Sequence, residues 1–127
     1  MVLQDLYVLN TQWGDGEGPD AVTPHNDLLL NDGTGVFTAA NESVAGDAVA
    51  LETEEDVKAV AFDADNDGDL DLFIVTDSNN QLLFNNGAGY FNSAPRGNDA
   101  TRSRAWSQNA IAFDADGKLV ASSSHCA

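Results

Sequence analysis

The chain repeats itself, and this limits its folding choices more than any other feature. Leu28–Ala40 aligns with Leu82–Ala94 at an offset of 54 residues, with 7 of 13 positions identical. Asp5–Leu9 aligns with Asp71–Val75 at an offset of 66. Ala59–Asp65 aligns with Ala110–Asp116 at an offset of 51, with 6 of 7 identical. A period of 51–54 built from short apolar runs points to stacked or radial β modules.

The middle copy is the most complete. Val57–Asp63 alternates apolar and small residues between acidic flanks and reads as a first strand. Leu70–Thr76, rich in β-branched and aromatic residues, reads as a second. Gln81–Asn85 and Tyr90–Ala94 follow as third and fourth, with Asn86-Gly87-Ala88-Gly89 supplying the positive φ of a tight reversal. The first copy begins at strand two, with Leu6–Asn10, Leu28–Asn31 and Val36–Ala40. The last copy has strand one at Asn109–Ala115 and a weak strand two at Lys118–Ser123. Asp47–Leu51 reads as a short edge strand, and no segment holds a 3.6-residue apolar period over two turns, so almost no helix is expected. The expected fold is therefore all-β, in antiparallel four-stranded modules, one complete and two partial. The boundaries are 1–40 (with an insertion at 11–26), 41–94, and 95–127.

At 127 residues there is room for one domain, or part of one. Apolar residues make up 43 %, enough for a core. Five basic residues against 21 acidic ones leave a formal charge of −16. That surface repels phosphate backbones and anionic headgroups, so nucleic acid and membrane surfaces are poor partners and cations good ones. No 18-residue apolar stretch exists to span a membrane. The N-terminus lacks the basic start and long apolar run of a signal peptide and reads as a strand, as at the start of an excised segment. Cys126, the single cysteine, lies in a Ser-rich tail and reads as a free thiol.

Asp63-Ala64-Asp65-Asn66-Asp67-Gly68-Asp69-Leu70-Asp71 is the sharpest chemical signal. Five carboxylates alternate over nine residues. In a straight strand they would share one face and repel. In a curled loop they converge on a hard cation. Calcium takes 6–8 oxygens in a flexible cage, and glycine at loop position six permits the sharp turn; Gly68 stands there. Asp63, Asp65, Asp67 and Asp71 are the expected side-chain ligands, with Asp69 contributing its main-chain carbonyl. Position twelve is Ile74 rather than Glu, so the loop joins two strands and not two helices. Magnesium prefers to keep its waters, and zinc lacks a nearby thiol or imidazole. Asp114-Ala115-Asp116-Gly117-Lys118 begins in the same way but loses the later acids, and reads as a hairpin turn.

The Asp loop at 63–71, the motif Leu-Leu-x-Asn-x-Gly-x-Gly-x-Phe at 28–37 and 82–91, and the apolar run after the loop resemble the FG-GAP/VCBS repeat. This is the propeller blade of integrin alpha subunits and many bacterial extracellular proteins. The resemblance implies calcium between the first two strands of a blade, held by Asp63, Asp65, Asp67, the Asp69 carbonyl and Asp71. It also places Asn85 and Gly87-Ala88-Gly89 on the turn before the last strand. The likeness is strong over 57–94, fair over 5–10 and 28–40, and thin over 109–123.

Propellers close with 4–8 blades, and this chain has one complete blade and two partial ones. It is then a fragment of a longer propeller, a non-propeller stack of sheets, or a subunit that assembles with copies of itself. In the last case strand one of one subunit completes strands two to four of the next, head to tail, giving a ring or a filament. The expected role is a non-enzymatic, calcium-binding structural protein of the extracellular space or cell surface that self-associates. The alternative is part of a larger adhesion propeller with a protein or glycan ligand. Trp13, Trp106 and Tyr90 offer stacking surfaces, although core packing uses such residues equally well. His25 and His125 lie in an insertion and a tail, and Ser43, Ser78 and Ser107 have no evident base, so acid–base catalysis is not expected. Asn41-Glu42-Ser43 fits the N-glycosylation acceptor pattern, making Asn41 a candidate modification site in an exported protein.

Overall fold

The computed structural model describes residues 3–10, 25–51, 56–76, 79–95, 99–101 and 109–116. Trp13, Trp106, Ser78, Ser107, His125, Cys126 and the strand expected at Lys118–Ser123 lie outside the described residues. Two antiparallel sheets dominate. The first has β1 (Leu6–Val8), β2 (Asp27–Asn31) and β3 (Phe37–Ala39) in the order β1-β2-β3. The second has β4 (Asp56–Phe62), β5 (Asp71–Thr76), β6 (Gln81–Asn85) and β7 (Phe91–Ser93) in the order β4-β5-β6-β7. Every neighbour in each sheet is also a neighbour in sequence, so both are meanders. The all-β character expected from the short apolar runs is present; closure into a propeller is not seen among the described residues.

The two sheets repeat at the level of single hydrogen bonds. In the second, Asn86 N–H donates to Tyr90 O at 3.0 Å and Ala94 N–H to Leu82 O at 2.8 Å. In the first, Asp32 N–H donates to Val36 O at 3.1 Å and Ala40 N–H to Leu28 O at 2.8 Å. Gly33, Gly35, Gly87 and Gly89 all have φ between 83° and 93°, a region that glycine enters without steric cost. The Gly-x-Gly motif is thus a turn specification, copied twice.

The segment expected to add an edge strand is helical instead. One-turn helices α1 (Glu42–Ala45) and α2 (Asp47–Ala50) meet at Gly46. Ala45 and Ala48 are buried at 0 % and 2 % exposure. Alanine carries the highest helix propensity, and its small side chain lets these turns fit between the sheets. Tyr7 Oη donates to Ala48 O at 2.6 Å, and Gly46 bridges to Phe91. Window periodicity cannot detect helices of one turn, because their order comes from packing rather than from an amphipathic stripe.

The core brings Leu28, Ala45 and Ala48 together with Leu72, Ile74, Leu83 and Phe91, so it joins both sheets through the two helical turns. β5 is buried along most of its length, as suits a strand flanked on both sides. A second correction concerns Asn109–Ala115. It repeats the sequence of β4 yet forms no strand. No neighbouring strand offers it a ladder among the described residues, and Ile111 and Phe113 remain 74 % and 73 % exposed. A strand is defined by its partner, and sequence alone does not supply one.

Candidate metal centre

The loop between β4 and β5 is built by its own carboxylates. Asp63 accepts from Asp67 N–H at 3.1 Å and from Gly68 N–H at 2.8 Å. Asp67 Oδ1 accepts from Asp69 N–H at 2.9 Å. Asn66 and Gly68 adopt positive φ of 59° and 91°, curling the chain so that alternate aspartates no longer share a strand face.

Asp71 ends the loop and is completely buried. Its Oδ2 accepts from Ala64 N–H at 2.7 Å and its Oδ1 from Asn85 N–H at 2.8 Å. Asn85 also donates from Nδ2 to Leu70 O at 3.1 Å, and its Oδ1 accepts from Gly87 N–H at 2.9 Å. One asparagine therefore fixes the β6–β7 turn and the end of the acidic loop together. This role was not read from sequence, although Asn31 shows the same pattern with Asp5.

One carboxylate oxygen each from Asp63, Asp65 and Asp71 lies within 4.8 Å of the others. Of the five aspartates expected as ligands, these three come together. Asp67 is turned into its bond with Asp69 N–H, and the Asp69 carboxylate lies at Gly87, where a Cβ would stand 2.9 Å from its Oδ2.

The electrostatics are those of a loop short of positive charge. Backbone N–H donation, mainly from Gly68, holds the Asp63 carboxyl below the usual aspartate range against some desolvation. Desolvation first, then the charge of Asp71, raises Asp65, with Asp67 and Asp63 adding to the effect. Lys58 is the only Lys or Arg among the described residues, and its Nζ donates to Asn109 Oδ1. A divalent ion fits this donor set. All three donors are hard carboxylate oxygens, one is held rigidly in the interior, and no side-chain cation among the described residues offsets them.

Among the described residues, the other polar groups show no catalytic pairing. Ser43 Oγ donates to Asn41 Oδ1 at 2.6 Å, Ser93 Oγ to Asp47 Oδ2 at 2.7 Å, and His25 Nδ1 lies 3.3 Å from Leu51 O. Among the described residues, no helix is long and apolar enough to cross a membrane.

The family model of the FG-GAP-like repeat matches residues 63–119. Neither curated proteins nor solved structures give a match. The matched stretch opens on Asp63, runs through β5, β6 and β7, and ends just past Asp114-Ala115-Asp116-Gly117. Over residues 63–119, 57 of its 127 residues, the chain is similar to the FG-GAP-like repeat.

Proposed function

We propose that the chain is a non-catalytic structural repeat stapled by calcium, with Asp63, Asp65 and Asp71 as the core of the site. The observation that carries this reading is the convergence of three carboxylates within 4.8 Å around a fully buried Asp71. Asp67 and the main-chain carbonyl of Asp69 would be the further protein ligands of such an ion. Calcium is favoured over magnesium because it accepts several carboxylates in a flexible loop. The ion supplies two positive charges where Asp65 is otherwise held above its ordinary pKa.

The same reading places the protein outside the cell or at its surface, where calcium is abundant enough to fill even a weak site. Asn41 is exposed beside Ser43, which supports it as an N-linked glycan acceptor in an exported chain. Copies associate head to tail into a ring or filament, one supplying strand one to the partial module of the next.

A second reading is supported by one feature. A groove of about 650 Å³ lies beside the acidic loop, lined by Val60, Phe62, Phe73, Ile111 and Phe113. Its size and aromatic walls suit a protein or glycan ligand of a larger adhesion propeller.

Calorimetric titration with calcium, followed by thermal unfolding in calcium and in chelator, tests the main reading. Saturable binding and a higher melting temperature in calcium are expected. At a hundredfold excess over Kd the ion adds about 2.7 kcal/mol. Absence of binding heat together with identical melts overturns it.

A further inference from the structure

We propose that Asn86-Gly87 is a site of spontaneous covalent self-modification that the fold keeps latched, with the Asn85 side chain as the latch.

The pair itself sets the chemistry. Asn86-Gly87 is the one Asn-Gly step in the chain. The backbone nitrogen that follows an asparagine can attack its side-chain amide, and glycine, without a Cβ, shields that nitrogen least. The Gly87 nitrogen gives its proton to solvent base and bonds to Asn86 Cγ. The Cγ–Nδ2 bond breaks, and the side-chain nitrogen takes up a proton and leaves as ammonia. Water then opens the cyclic imide. If the bond from Cγ to nitrogen breaks, aspartate is left at 86 in an unaltered chain. If the bond from the Asn86 main-chain carbonyl breaks, isoaspartate is left, and the main chain runs through Cγ, longer by a methylene. Asn86 and Gly87 are both exposed, so water and base reach them.

Two sets of hydrogen bonds act on this pair in opposite senses. Asn86 Oδ1 accepts from Ala88 N–H at 2.9 Å and from Tyr90 N–H at 3.4 Å. Donation to the amide oxygen draws charge from Cγ and readies it for attack. Gly87 N–H carries the proton that must leave, and it donates to Asn85 Oδ1 at 2.9 Å. The same oxygen accepts from Gly89 N–H at 3.1 Å. Asn85 is anchored at its other end, where Nδ2 donates to Leu70 O at 3.1 Å. The electrophile is armed and the nucleophile is held.

The first sheet has the same turn with an aspartate in place. Gly33 N–H donates to Asn31 Oδ1 at 2.9 Å, and Thr34 N–H to Asp32 Oδ1 at 2.8 Å. Asp32 stands where Asn86 stands in the second copy, so a carboxylate fits the turn. Aspartate at 86 therefore leaves the turn intact, and isoaspartate does not. An added methylene between Asn85 and Gly87 breaks the pairing of Asn85 with Phe91. It also moves Gly87, where a Cβ would already stand 2.9 Å from Asp69 Oδ2. Asn85 gives its own N–H to Asp71, so the damage reaches the end of the acidic loop. A molecule whose turn has once opened is marked permanently.

Peptide mapping by mass spectrometry, after incubation in mildly alkaline buffer, tests the latch. Ammonia loss is read at Asn86 and separately at Asn92, whose Asn-Ser step lies in β7. Asn86 is expected to react about tenfold or more slower in the native protein than in urea, since each net hydrogen bond that must open contributes a factor of about five. Asn85→Ala is expected to speed Asn86 about fivefold in the folded protein and to leave Asn92 unchanged. Acceleration at both positions means that this variant has unfolded, and the first sheet then decides. There Asp32→Asn builds an Asn-Gly step on the Asn31 latch, expected to be as slow as native Asn86 and about fivefold faster once Asn31→Ala is added. Equal rates with and without the latch in a folded protein overturn the proposal. So does a native Asn86 that reacts as fast as in urea.

Discussion

The backbone N–H of Asn85 donates to the buried carboxylate of Asp71 at 2.8 Å, across 14 residues of sequence. Asn31 and Asp5 make the same bond at 2.8 Å in the first sheet, but Asp5 is exposed. One geometry thus occurs in two environments, and comparing them isolates what burial adds.

Asp71→Asn should be the most damaging single change in the loop. An amide offers one acceptor oxygen where the site needs two, and its NH₂ would face a backbone N–H. A buried donor left opposite a donor costs about 1–3 kcal/mol. Asp5→Asn, in water, should cost well under half as much. Urea unfolding of both variants in chelator measures the difference, and equal losses would remove the special place given to Asp71.

Asp65→Asn should change sign with calcium. Desolvation and the nearby charge of Asp71 hold the Asp65 carboxyl above its ordinary pKa. In chelator, removing that charge should raise the melting temperature. In calcium the same change removes a ligand and should weaken binding about tenfold, since ligand charge tunes such sites. Paired melts with and without calcium decide it. A variant less stable in both conditions would mean that repulsion is not what governs this loop.

The pH response follows from the opposite shifts of Asp63 and Asp65. Asp63 titrates below its ordinary value, chiefly through Gly68 N–H. Its contribution to stability is present above the unfolded pKa of about 3.9 and is lost as pH falls through the lowered folded value. Asp65 titrates above its ordinary value, so its contribution runs the other way. It is present below the unfolded pKa and is lost as pH rises through the raised folded value. Calcium needs both groups ionised. Affinity should therefore begin to fall at the raised pKa of Asp65, before the ion-free fold loses the support of Asp63. Calcium titrations at stepped pH, beside ion-free melts, should show binding failing first.

Where the sequence was legible, one local rule decided the outcome. Gln81–Asn85 reads as a strand and is one, because β-rich residues between turn signals leave little else. The turns at Gly33–Gly35 and Gly87–Gly89 follow from glycine's access to positive φ. The convergence of Asp63, Asp65 and Asp71 follows from alternate acids with Gly68 in register. Where it was not, the deciding partner lay far along the chain. α2 owes its form to Tyr7 and β7, and Asn109–Ala115 forms no strand because no neighbour among the described residues completes it. Asn85 was visible as a turn residue, but its grip on Asp71 depends on β5 and β6 lying side by side.

Gly46 tests whether the helical turns truly clamp the two sheets. It joins α1 to α2 with φ of 61°, and a Cβ there would stand 2.5 Å from Phe91 O and 2.9 Å from Tyr90 Cζ. The oxygen is backbone, so it cannot step aside without disturbing β7. Gly35 has φ of 90° but nothing within 4 Å of a Cβ. Gly35→Ala should therefore cost only the backbone strain, about 1 kcal/mol. Gly46→Ala should add an overpacking cost of about 1–3 kcal/mol to that strain. Thermal unfolding in chelator keeps calcium from masking the difference. Similar melting temperatures for the two variants would mean that α1 and α2 do not press on β7. A much lower value for Gly46→Ala would identify this crossing as the joint through which the first sheet is carried on the second.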